Sequence, residues 1–156
     1  MMSCLYSSYM KQTETRRGGE EDQDRQLMFS IVNAGRSIEQ RLEEALAPVG
    51  LTLTKFGMLL HLVEAGEPLS LSECAKKMSC VRSNITQLMD RLEADGLVQR
   101  VEDPQDRRAI RAEVTPLGAE RQAAGAKEVT RVQGELAKAL SGMDHGTLQR
   151  ALSAVK

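Results

Sequence analysis

Tryptophan is absent, and aromatic residues make up only 3% of the 156 positions. A core must therefore be built from Leu, Val, Ile, Ala and Met, which the 41% apolar content allows. No apolar run is long enough to span a bilayer, and the first residues lack the apolar centre of a signal peptide. Those two absences predict a cytoplasmic protein with no membrane partner. The three cysteines, Cys4, Cys74 and Cys80, form neither a metal-binding spacing nor a disulfide framework, which suits a reducing compartment. There are two histidines, His61 and His145, and neither stands next to a plausible nucleophile. With no glycine-rich phosphate loop and no metal motif, an enzyme, a cofactor and a metal are all excluded as expectations. Excess positive charge is missing too. The net charge is −1, and the arginines of residues 81–115 are matched by acids. Bulk charge gives no support for nucleic-acid binding, so that reading must rest on where the arginines sit.

What the sequence does hold is concentrated between Ser70 and Thr115. Ser70 can cap a short helix at 71–78, with Glu73 three residues on to complete a reciprocal capping box. A second helix is expected at 81–94, because Val81, Ile85, Leu88, Met89 and Leu92 recur at helical spacing. Its other face carries Arg82, Ser83, Asn84, Thr86, Gln87 and Arg91, side chains that match the donors and acceptors of base edges and phosphates. Asp95-Gly96 stops that helix. Residues 97–101 and 109–115 then alternate as two strands, with Ile110, Ala112 and Val114 facing in and Arg111 and Glu113 out. The long loop between them ends in Asp106-Arg107-Arg108. Two short helices followed by an arginine-tipped hairpin form the layout of a winged helix-turn-helix DNA reader.

The flanks are helical. Residues 1–23 read as a charged, disordered tail. A long helix is expected at about 24–47, where Met28, Gly35, Leu42 and Val49, and separately Ile31, Ile38 and Ala45, recur seven apart. Thr52 or Thr54 can cap the next helix, with Phe56, Leu59, Leu60 and Val63 as its buried stripe. Thr115-Pro116 starts a helix reaching about Leu140, with small residues Ala123 to Ala126 at its middle. Ser141 and Asp144 suggest a second capping box before a last helix. These outer helices offer more apolar surface than a small reader domain needs, and dimerisation is the natural use for it. The expected organisation is a tail (1–23), a helical dimerisation region (24–50 and 116–156) and a winged helix-turn-helix domain (51–115). The fold class is mainly α with a small β-wing.

From Leu27 to Val155 the chain resembles the MarR family of bacterial transcriptional regulators. The resemblance rests on Asp90-Arg91-Leu92-Glu93 with Gly96-Leu97-Val98, then Asp103-Pro104-Gln105-Asp106-Arg107-Arg108-Ala109, then Val114-Thr115-Pro116-Leu117-Gly118, in family order and spacing. It implies a homodimer joined through the outer helices, bound to double-stranded DNA at a pseudo-palindromic operator. By position, Arg108 matches the wing arginine of the minor groove and Asp106 the acid that holds it, while Arg107 and Arg111 suit phosphates. A narrow minor groove attracts guanidinium groups. The family also implies release by a small aromatic or phenolic effector, in other members by cysteine oxidation. A redox-sensing regulator and a winged helix used only for protein contacts are the alternatives. Where the family usually has a small polar cap before Arg82, this chain has Val81, and Ser79 stands at a common glycine position.

Overall fold

The computed structural model describes residues 19–79, 81–103 and 110–154; the side chains of residues 19–21 and 82 are outside that description. In chain order the elements are α1 (Gly19–Leu46), a 3-10 turn (Ala47–Val49), α2 (Leu53–Ala65), β1 (Leu69–Ser70), α3 (Leu71–Lys77), α4 (Arg82–Ala94), β2 (Val98–Glu102), β3 (Ile110–Val114), α5 (Pro116–Ala139) and α6 (His145–Ser153). The chain divides into two compact units, one ending at Ile38 and one beginning at Glu39.

In the first unit the described residues are the opening stretch of α1. The helix takes in residues 19–23, which the sequence places in the tail. Asp22 is one reason, since it accepts from Gln26 Nε2 at 3.2 Å one turn on and lies 3.7 Å from Arg25. Leu27, Met28, Ile31 and Val32 are 61%, 53%, 41% and 44% exposed. The expected seven-residue seam therefore lies open on this stretch.

The second unit is a winged helix with α5 and α6 appended. Pro48 sits in the 3-10 turn, and Gly50, at φ 74°, reverses the chain after it. Thr52 caps α2 by accepting from Lys55 N, and Gly66 closes it in the left-handed region. The buried face of α2 is Phe56, Met58, Leu59 and Leu62. This corrects the expected stripe, since Val63 is exposed. The contact arc is set by α5 and β3, against which α2 packs. Leu46, Met58, Leu59, Leu62, Cys74, Ile85, Met89 and Leu92 are the largest fully buried side chains, and they form one core with Leu97, Val98 and Ala112.

The sheet has the order β1-β3-β2, all antiparallel, with Leu69 opposite Ala112 and Val98 opposite Val114. Ala112 is buried as expected, whereas Ile110 is exposed because it lies at the loop end of the hairpin, beyond the core. Thr115 caps α5 through Gly118 N. Two glycines let α5 approach closely. A Cβ on Gly118 would lie 2.0 Å from Leu97 O, and one on Gly125 would lie 2.9 Å from the Phe56 ring and 3.0 Å from Leu46.

The second capping box is not formed. Asp144 itself caps α6, accepting from Gly146 N and Thr147 N, so the helix starts at His145. An ionised carboxylate placed at the helix start accepts two amides directly, which Ser141 is too far upstream to do.

Candidate nucleic-acid interface

The capping box on α3 is complete. Ser70 Oγ accepts from Glu73 N at 3.2 Å, and Ser70 N donates to Glu73 Oε2 at 2.8 Å. Hydrogen bonds from Ser70, side chain first and backbone second, hold the Glu73 carboxyl below its usual value, with Arg111 adding to the effect. The chain then turns through Ser79, whose φ of 50° lies in the left-handed region. That conformation explains why a glycine suits the position, and serine tolerates it at modest cost.

α4 begins at Arg82, with Val81 as its N-cap in extended conformation and no side-chain cap bond. Val81 is 64% exposed, which corrects its place on the expected buried stripe; being non-helical, it leaves the 3.6-residue repeat that Ile85 begins. Ile85, Leu88, Met89 and Leu92 are all buried. They seat one side of α4 in the core and leave Ser83, Asn84, Thr86, Gln87 and Arg91 exposed on the rest. Arg91 makes no ion pair among the described residues. Arg82 opens the helix.

Lys55 Nζ, 2.5 Å from Asp95 Oδ2, ties the end of α4 to α2. Arg100 on β2 ties it to the wing, donating to Glu93 Oε2 at 2.8 Å and pairing with Asp90. Those links engage Asp90 and Glu93 of α4 and Asp95 at its C-terminal cap.

Arg111 on β3 is not extended toward solvent. Its Nε donates to Asp103 Oδ2 at 2.5 Å and its Nη1 to Pro68 O at 3.0 Å, with Glu73 Oε2 3.7 Å away. This is a structural placement at odds with a free phosphate-binding arginine. The reason is the hairpin register, which sets Arg111 opposite Val101, close to where Asp103 leaves β2. Asp106, Arg107 and Arg108 lie outside the described residues, so the wing tip expected from the sequence remains a sequence assignment.

The sequence reading missed Asp103, Arg100 and the second use of Glu73. Their signal was weak. Opposite charges eight positions apart meet only once the register of the hairpin is known, and a long loop containing a proline hides it.

Among the described residues no group of three or more His, Cys, Asp or Glu could hold a metal, and no single helix is long and apolar enough to cross a membrane. Cys74 is fully buried, and burial above all, with Glu73 second, pushes its thiol up to about 11. Such a thiol carries almost no thiolate near neutrality and is a poor oxidant target. In a chain bearing Cys4→Ser and Cys80→Ser, Cys74 is expected to react with a disulfide reagent only once denaturant is added. Fast reaction of the native protein would show that the burial is not maintained.

A short helix, a turn, a helix with a buried apolar face and an exposed polar one, and a three-stranded wing together define a winged helix-turn-helix DNA-binding domain. Comparison with known proteins gives the narrower class. The family model described as MarR family matches residues 51–110. The multiple antibiotic resistance protein MarR of Salmonella typhimurium is 30% identical over 100 residues, 60% of this chain and 69% of that protein. The HTH-type transcriptional regulator YsmB of Bacillus subtilis is 37% identical over 89 residues, 57% of this chain; the chain spans 60% of YsmB's length. In structure, the transcriptional repressor CouR bound to a 23-mer DNA duplex matches with a TM-score of 0.75 and 26% identity, covering 90% of this chain and 99% of that one. The chain belongs to the MarR family of transcriptional regulators.

Proposed function

We propose that the protein is a homodimeric repressor that sits on a pseudo-palindromic operator and leaves it when a small aromatic compound binds. The observation that carries this is α4. One side is locked into the core by four buried residues, and the other presents Ser83, Asn84, Thr86, Gln87 and Arg91 to solvent. With Arg82, these are the proposed base-edge and phosphate contacts in the major groove. Asp106, Arg107 and Arg108 are proposed to serve the flanking minor groove and its phosphates. The repressor direction is supported by the likeness to CouR, which carries that name and is bound to DNA.

Dimerisation is supported by the open apolar row Leu27, Met28, Ile31 and Val32, and in the second unit by Met143 and Leu152, 53% and 46% exposed. An effector is supported by a recess of about 470 Å³ lined by Leu140, His145, Leu148 and Leu152, within the size range of small-molecule sites. The redox alternative loses Cys74 through its burial, and rests on Cys4 and Cys80, which lie outside the described residues.

The test is selection of bound fragments from genomic DNA, followed by titration of the recovered operator over a salt series. Affinity that falls steeply with salt and an oligomer mass of two chains support the reading, because each neutralised phosphate releases counterions. A monomer in light scattering, or no recovered site, would remove it. Arg108→Ala is expected to weaken operator binding by about 1–3 kcal/mol with the dimer intact. Unchanged affinity in that titration would take Arg108 out of the interface. Addition of phenolic acids should raise the dissociation constant of the wild-type complex; a flat response across the series argues against that ligand class.

A further inference from the structure

The two hairpin strands β2 and β3 each carry an arginine that is turned onto the reader helices. Arg100 on β2 holds Asp90 and Glu93 of α4. Arg111 on β3 joins three separate segments: Asp103 where β2 ends, the Pro68 carbonyl before β1, and Glu73 on α3. Asp103 is only 9% exposed, so its charge requires a close cationic partner. The guanidinium fork suits this junction. Its Nε and Nη1 point to two acceptors at once, which the single ammonium of lysine cannot do with the same fixed geometry. Glu73 meanwhile holds the start of α3 through Ser70. One residue thus ties the wing to the first turn of the helix-turn-helix.

We propose that Arg111 is a positioning residue that fixes the angle of the wing to the helix-turn-helix through Asp103, Pro68 and Glu73, and so sets how strongly the protein discriminates the base pairs flanking each half-site. It does so without touching DNA. The inference rests on the operator-binding reading above. The wing strands are held at a defined tilt, while α4 is seated mainly by its own buried face of Ile85, Leu88, Met89 and Leu92. Loosening Arg111 therefore leaves recognition by α4 in place and blurs what the wing reads.

The experiment uses the full chain and the operator recovered by genomic selection, in two versions, one native and one with scrambled flanks. Arg111→Met keeps the apolar stem and removes the fork. Glu73→Gln keeps the capping box, since a glutamine oxygen still accepts from Ser70 N, and removes only the charge facing Arg111. For Arg111→Met we expect a loss on the order of tenfold on the native operator, and little or no further loss on the scrambled one. For Glu73→Gln we expect the same pattern at a few-fold and an unchanged melting temperature. In both variants the slope of log affinity against log salt should match wild type. A slope reduced by about 0.9 in Arg111→Met would mean that Arg111 contacts a phosphate, and would overturn the proposal. So would equal losses on both operators, or no loss on either. If wild type itself binds no DNA in the titration, the operator reading fails first, and this inference with it.

Discussion

Gly118→Ala is expected to leave the protein largely unfolded, or to destabilise it by at least about 3 kcal/mol, because the new methyl has no room. The Cβ would sit 2.0 Å from Leu97 O and 2.9 Å from Val114 Cγ2. The obstacle is backbone, and a fixed part of it. Leu97 O already accepts from Thr115 N at 3.1 Å, the bond that ties the end of β3 to the start of β2. Gly118 N is itself the donor that Thr115 Oγ1 receives at the cap of α5. Relief would require α5 to lift away from the wing, breaking the cap and opening the core along Phe56 and Leu46. A graded series makes the argument testable. Gly125 meets side chains at 2.9 Å and 3.0 Å, and these can yield in part, so Gly125→Ala should lose less. Gly134 has nothing within 4 Å, so Gly134→Ala should gain about 0.5–1 kcal/mol from helix propensity alone. Urea unfolding at one fixed protein concentration orders the three, since the stability of the proposed dimer would depend on concentration. Similar midpoints for all three would refute the close approach of α5 to Leu97.

How much of this was visible in the residues depends on the range of the interaction. Caps are local, and Thr52, the Ser70–Glu73 box and Thr115 before Pro116 all formed as their sequence signatures suggest. Where two local patterns overlap, the sequence cannot choose. Ser141 with Asp144 three residues on reads as a capping box, yet Asp144 is also a good cap in its own right, and the helix starts after it. Stripes are semi-local. Ile85, Leu88, Met89 and Leu92 were legible because a single period fits them. On α2 Phe56, Met58, Leu59, Leu60, Leu62 and Val63 are all apolar, so periodicity alone allowed Val63 where packing chose Met58 and Leu62. The Arg111 junction was illegible. It joins Pro68, Glu73 and Asp103 across 43, 38 and 8 positions, and only the strand register brings them together. The sequence suggested a DNA-facing arginine there because arginine near a wing usually has that use. In the structure its guanidinium is held by Asp103, the Pro68 carbonyl and Glu73.

Leu92→Ala is expected to destabilise the fold by about 2–5 kcal/mol and to weaken operator binding by more than its effect on the folded fraction explains. Leu92 has no exposure and belongs to the core that Leu59, Leu62, Met89 and Leu97 complete. Truncation removes buried methyl groups and leaves a cavity that the surrounding β2 and α2 cannot close without moving. The consequence for function follows from where Leu92 lies. It is in the last turn of α4, beside Arg91 and before the Lys55–Asp95 pair that anchors the helix end. Loss of the side chain frees that end to shift, and a displacement of the order of 1 Å at the polar face is enough to misalign hydrogen bonds to base edges. Arg91→Ala provides the opposite case. Its side chain is exposed with no ion pair among the described residues, so stability should change by less than about 0.5 kcal/mol while operator affinity falls and the salt slope drops by about 0.9. Measured together, chemical denaturation and operator titration separate the seat of α4 from its reading face. A Leu92→Ala protein that unfolds at the wild-type midpoint would mean that α4 is held by something other than its buried row. A wild-type salt slope in Arg91→Ala would place that arginine off the DNA.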